Sequence, residues 1–168
     1  MTWGPTWRGS RRIPTAAAVC ALLSAPLTAC SPAGVAASCV PPKSKSVSAS
    51  DLVGTFEGAK DADGAGIVLK EKPGEDGGTL SVHNWPTGEY YRDTLGATFD
   101  GTGTWEIQPA SKTVKYPLLQ LHFEEPKEFA PEDTVDMLSV AYDSKRTVIY
   151  EDADPDVCPK FRLELQGN

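Results

Sequence analysis

From Ile67 onward, large apolar side chains recur at every second position in one short run after another, and clusters of Gly, Pro, Asp and Ser separate the runs. A spacing of two puts those side chains on one face of a strand, whereas a helix would need a spacing near 3.6. Ile67 and Leu69, Leu80 and Val82, and Leu119, Leu121 and Phe123 show the pattern. So do Leu138, Val140 and Tyr142, and finally Phe161, Leu163 and Leu165, while Thr147–Glu151 is rich in β-branched and aromatic residues. The breaks, such as Pro73-Gly74-Glu75-Asp76-Gly77-Gly78, Asp100-Gly101 and Asp154-Pro155-Asp156, supply fixed φ angles, positive φ angles or side chains that bond their own backbone. The pattern predicts an all-β fold: an antiparallel meander of about eight short strands forming a small barrel or half-barrel. Pro126–Asp136 has room for one helical turn after Pro131 and for no longer helix.

At 168 residues the chain accommodates one such domain, and 40 % hydrophobic content is enough to build its core. With 15 Gly and 14 Pro spread without a period, neither a coiled coil nor a collagen helix is admissible.

The chain's beginning follows different rules. Met1–Ile13 carries Arg8, Arg11 and Arg12 and no acid, and Pro14–Ala29 is apolar and small. A basic segment followed by an apolar one is the layout of an export signal. Its apolar part, about 16 residues interrupted by Pro26, is short of the ~20 that a spanning helix needs. Ser10-Arg11-Arg12 looks like a twin-arginine export signal, with Pro14 where that pattern wants a large apolar residue, so the export route stays open. Leu27-Thr28-Ala29-Cys30 resembles the lipobox of bacterial lipoproteins, in which the Cys becomes the acylated N-terminus. The resemblance implies lipidation at Cys30 and residence on the outer face of the cell membrane. The alternatives are a plain secretory signal, or acylation at Cys39 through the weaker Ala36-Ala37-Ser38-Cys39. On this reading residues 1–29 are a signal peptide, 30–50 a Ser- and Pro-rich flexible tether, and 51–168 the folded domain.

Cleavage removes Cys20 and acylation uses Cys30, which leaves Cys39 and Cys158 as an even pair in an oxidising compartment. They are expected to form a disulfide closing a loop of about 120 residues and tying the tether to the last strand. Cleavage also removes three Arg and no acid, taking the formal charge from −7 to −10. So acidic a domain is repelled by phosphate backbones, and nucleic-acid binding is not expected.

Gly54-Thr55-Phe56-Glu57 and Gly103-Thr104-Trp105-Glu106 share a Gly-Thr-aromatic-acid pattern similar to the opening strands of small lipocalin-like meander domains. Together with the lipobox, the tether and the late Asp-Pro-Asp, the layout resembles lipoproteins of actinobacteria with such a domain. This resemblance implies location and fold class more than activity.

Reaction chemistry is poorly represented. His83 and His122 both alternate out of apolar runs, there is no Gly-x-Ser-x-Gly elbow, and Gly64-Ala65-Gly66 precedes a strand where a dinucleotide motif must open a helix. No cofactor and no catalytic role are expected; a carboxylate-only hydrolase is the enzymatic alternative. Asp152, Asp154 and Asp156 put three carboxylates at alternate positions, a candidate irregular Ca²⁺ site, although Val157 and Leu163 stand where a calcium loop wants Gly and Glu. His83–Arg92 gathers Trp85, Tyr90, Tyr91 and Arg92 in what reads as a connection, the composition of a ligand or partner surface. The expected function is a binding or interaction module of the cell envelope, contacting a small apolar ligand or another envelope protein. An accessory lipoprotein without ligand is the alternative, and a hollow or a filled barrel distinguishes the two.

Overall fold

The computed structural model describes residues 39–59, 62, 64–129, 135–144, 146–152 and 157–167. The expected signal peptide, Cys30, the first part of the tether, the turn after Pro131, Asp154 and Asp156 lie outside the described residues. Eight strands form among them: β1 (Gly54–Gly58), β2 (Gly66–Glu71), β3 (Gly77–Pro86), β4 (Thr98–Gln108), β5 (Leu118–Glu125), β6 (Val135–Tyr142), β7 (Thr147–Tyr150) and β8 (Arg162–Leu165). Each pairs antiparallel with its sequence neighbour, and β1 pairs with β8, so the sheet is a closed barrel in simple order. The short helix α1 (Arg92–Leu95) lies in the β3–β4 connection.

Every alternating run read from the sequence points inward. Ile67, Leu69, Leu80, Val82, Leu119, Leu121, Leu138, Val140, Ile149 and Leu163 are all buried in one cluster with Phe56 and Trp105. Eight strands leave an interior just wide enough for side chains to fill. Here they fill it, from Leu52 at the floor, where β1 begins, to Trp85 at the mouth, where β3 ends. At the floor the Trp105 indole donates to the Lys70 carbonyl at 3.2 Å.

Two turns show why the breaks fall where they do. Gly74, at φ 81°, makes the β2–β3 reversal that an L side chain would strain. Asp143 closes the β6–β7 turn by accepting the Arg146 N–H through Oδ1 at 3.2 Å.

Residues 39–50 depart from the expected flexible tether. Beyond Ser139, β6 has no β5 partner, and its open edge is taken by Lys43, which bridges to Ala141, while the Ser44 N–H donates to the Val140 carbonyl at 3.3 Å. Val40 packs with Ala141, Val148 and Tyr150 on the barrel's outer face. Further on, the 3-10 turn Ala49–Asp51 and Leu52 close the floor, with Leu52 fully buried. The composition that suggested a spacer was correct in having few large apolar groups. The segment is ordered because an unpaired sheet edge and a covalent anchor reduce what its apolar groups must offset. That anchor is the expected disulfide, Cys39–Cys158, with Cα atoms 5.6 Å apart. The folded unit therefore begins at least as early as Cys39, and residues 39–50 form a strap down the side of the barrel.

Candidate aromatic mouth of the barrel

The alternation along β3 would send residue 84 inward after Leu80 and Val82. A bulge prevents it: Asn84 takes φ 48°, and the pairing with β4 shifts between Val82 and Trp85. Asn accepts this left-handed conformation more readily than most residues. Its N–H donates to Asp100 Oδ1 at 2.8 Å and its side-chain amide to the Gly64 carbonyl at 3.0 Å, which pins the bulge. As a result Trp85 turns into the barrel and is 2 % exposed. The segment expected as a connection therefore contributes its first four residues to β3, and Trp85 is a core side chain at the mouth rather than a surface one.

From Trp85 an aromatic network leads outward. Its ring meets Phe161 edge-on at 5.0 Å and Phe123 at 6.1 Å. Phe123 meets Phe99 at 5.2 Å, Phe99 meets Phe129 at 5.1 Å, Phe129 meets Tyr91 at 4.8 Å, and Tyr91 meets Tyr90 at 4.9 Å. Most of these are T-shaped contacts, the arrangement that aligns positive ring edges with negative faces. The network ends in solvent, because Tyr90 is 85 % exposed. Of the four residues read as a binding cluster, Trp85, Tyr90 and Tyr91 are thus joined through this network, while Arg92 is exposed at the start of α1 and lines neither cleft described next.

Two clefts of about 500 Å³ each flank Pro86 and Gly88. One is walled by Tyr90, Tyr91, Phe99, Phe123 and Phe129, the other by Trp85, Thr87, Met137 and Phe161. Thr87 is buried, and its hydroxyl has no hydrogen-bond partner in the described structure.

Asp136 lines both clefts. It has the same strand parity as Leu138 and Val140, so β6 aims a carboxylate where a core side chain would otherwise stand. Its Oδ2 accepts the Trp85 indole N–H at 2.9 Å. Asp136 keeps solvent exposure at the mouth, but partial desolvation of its carboxyl raises its pKa above the ordinary 3.8, and the indole hydrogen bond opposes that shift without cancelling it. A carboxyl with a raised pKa favours folding in its protonated form. That contribution is complete below pH 3.8 and is lost as the pH climbs through the raised value. Asp136→Asn, always neutral and still able to accept the indole N–H, is therefore expected to melt at higher temperature than the natural chain at neutral pH. The difference should close in acid, and an equal or lower melting temperature at neutral pH would contradict the assignment.

The other sequence candidates lie elsewhere. Asp152 is ion-paired with Lys43 of the strap, and the described residues contain no group of three His, Cys, Asp or Glu side chains placed to hold a metal. His83 and His122 are part-exposed on the outer wall, near Glu57 at 3.7 Å and Glu106 at 3.9 Å. Phe161, read from the sequence as the first position of the last alternating run, lies just before β8, and Phe129 and Asp136 were not singled out. Only Asp136 carried a readable sign, an acid at the core-facing parity of an apolar strand. No family model, curated protein or solved structure matches this chain, so the mouth has to be interpreted from its own chemistry.

Proposed function

We propose that the protein is a lipid-anchored binding module on the outer face of the cell membrane, with the aromatic mouth of its barrel as the ligand-contacting surface. The observation that carries the ligand half of this reading is the unbroken network from buried Trp85 to exposed Tyr90, beside an open cleft. Exposed aromatic side chains backed by packed ones offer a large contact area at low entropic cost. A barrel filled by Leu121, Val140 and Leu163 directs the search to the mouth rather than to a hollow calyx. The anchoring half rests on Leu27-Thr28-Ala29-Cys30, since two or three acyl chains at ~0.8 kcal/mol per buried methylene hold a domain without a spanning helix. No helix among the described residues is long and apolar enough to cross a membrane. The filled interior also supports a second reading, an accessory lipoprotein with no ligand.

Native mass spectrometry of the chain extracted from membranes of an exporting host tests both halves. The expected spectrum has a covalent acyl mass on Cys30 and a smaller non-covalent mass that denaturation removes and Tyr90→Ala diminishes. A Cys30→Ala chain retained in the membrane would defeat the anchoring assignment. A bare mass in the natural chain would favour the accessory reading.

A further inference from the structure

The cleft beside Tyr90 pairs aromatic walls with negative charge. Among the described residues that line it, Glu89 and Asp136 are the only charged ones. Asp136 spends Oδ2 on the Trp85 indole, and no hydrogen bond engages its other oxygen among the described residues. Aromatic faces carry negative potential and attract cations, most strongly weakly hydrated organic ones. We propose that this cleft, bounded by Tyr90, Tyr91, Phe129 and Asp136, binds the ammonium group of a small soluble organic cation.

This inference rests on the mouth being a ligand site and narrows that reading to one charge class. A volume of about 500 Å³ lies within the range of small-molecule sites. A neutral apolar ligand would strip water from the Asp136 carboxylate and return no counter-charge, which is costly. An ammonium group supplies that charge to a carboxylate that the cleft leaves accessible. The domain's net charge favours cations over long range as well. A phospholipid headgroup shares the ammonium chemistry, but its phosphodiester would confront both Glu89 and Asp136, so the structure favours a soluble cation.

The test is calorimetric titration of the full chain in non-ionic detergent with three probes: choline, its neutral isostere 3,3-dimethylbutan-1-ol, and glycerophosphocholine. Choline is expected to bind about tenfold more tightly than the isostere. Asp136→Asn and Tyr90→Ala are each expected to weaken choline by about three- to tenfold. Tyr90, at 85 % exposure, can be truncated without a folding defect. Equal affinity for choline and the isostere, or choline binding unmoved by both substitutions, would overturn the proposal. Tighter binding of glycerophosphocholine would overturn the soluble cation in favour of a headgroup. If choline fails while the natural chain still carries a Tyr90-dependent non-covalent mass, the ammonium assignment falls and the mouth reading stands. If both are missing, both fall.

Discussion

Trp85→Ala is expected to cost about 3–5 kcal/mol of stability, the range for emptying a large aromatic site in a packed interior. Trp85 is 2 % exposed and touches both Phe161 and Phe123, so its removal opens a cavity between β3, β5 and the segment leading into β8. It also takes the indole donor from the Asp136 carboxylate, which is only partly desolvated, adding a smaller polar cost to the apolar one. Trp85→Phe separates the two contributions: the ring contacts survive in part, and the hydrogen bond does not. The expected order of melting temperatures is natural chain, then Trp85→Phe, then Trp85→Ala, read by calorimetry. Combining each variant with Asp136→Asn, which has no charge to strand, should recover part of the loss. If Trp85→Ala cost under about 1 kcal/mol, the mouth would be loosely packed and the aromatic network would not be a rigid platform.

The same residue shows where sequence reading succeeds and where it stops. Strand alternation is a local property, and in β2, β5 and β8 the parity of Ile67, Leu121 and Leu163 alone was enough to identify the core. The Cys39–Cys158 pairing was also legible, from elimination and redox compartment. Trp85 was not, because its direction depends on one positive-φ residue, Asn84, whose conformation is fixed by Asp100 and Gly64 from other parts of the chain. The mouth as a whole has the same character. Phe129 and Phe161 sit outside every strand, and only the closing of the barrel brings them beside Phe99 and Trp85. The strap is not legible for a related reason: a free edge on β6 past Ser139 is a consequence of where β5 begins, which no local pattern in residues 39–50 encodes.

Replacing both Cys39 and Cys158 by Ser is expected to cost about 2–4 kcal/mol, below the ~5 kcal/mol that the chain-entropy account gives for so long a loop. Entropy of the unfolded chain is only half of the effect, because the bond also holds the strap on the barrel. Val40 covers Val148 and Tyr150, and the buried Arg162 guanidinium donates to the Cys39 carbonyl at 3.3 Å. Once the strap detaches, these groups meet water, and Tyr150 reports it. Its pKa is pushed up to about 12, chiefly by burial and then by the charge of Asp152. A phenol raised in this way stabilises the fold at pH values below its ordinary 10.0 and loses that contribution as the pH rises through about 12. In the double variant the phenol should therefore titrate closer to 10.0, measured as the ultraviolet difference between chains with Tyr150 and with Tyr150→Phe. An unmoved titration beside a lowered melting temperature would show that Lys43 and Ser44 hold the strap through their pairing with β6 alone, and that the disulfide acts on the unfolded chain.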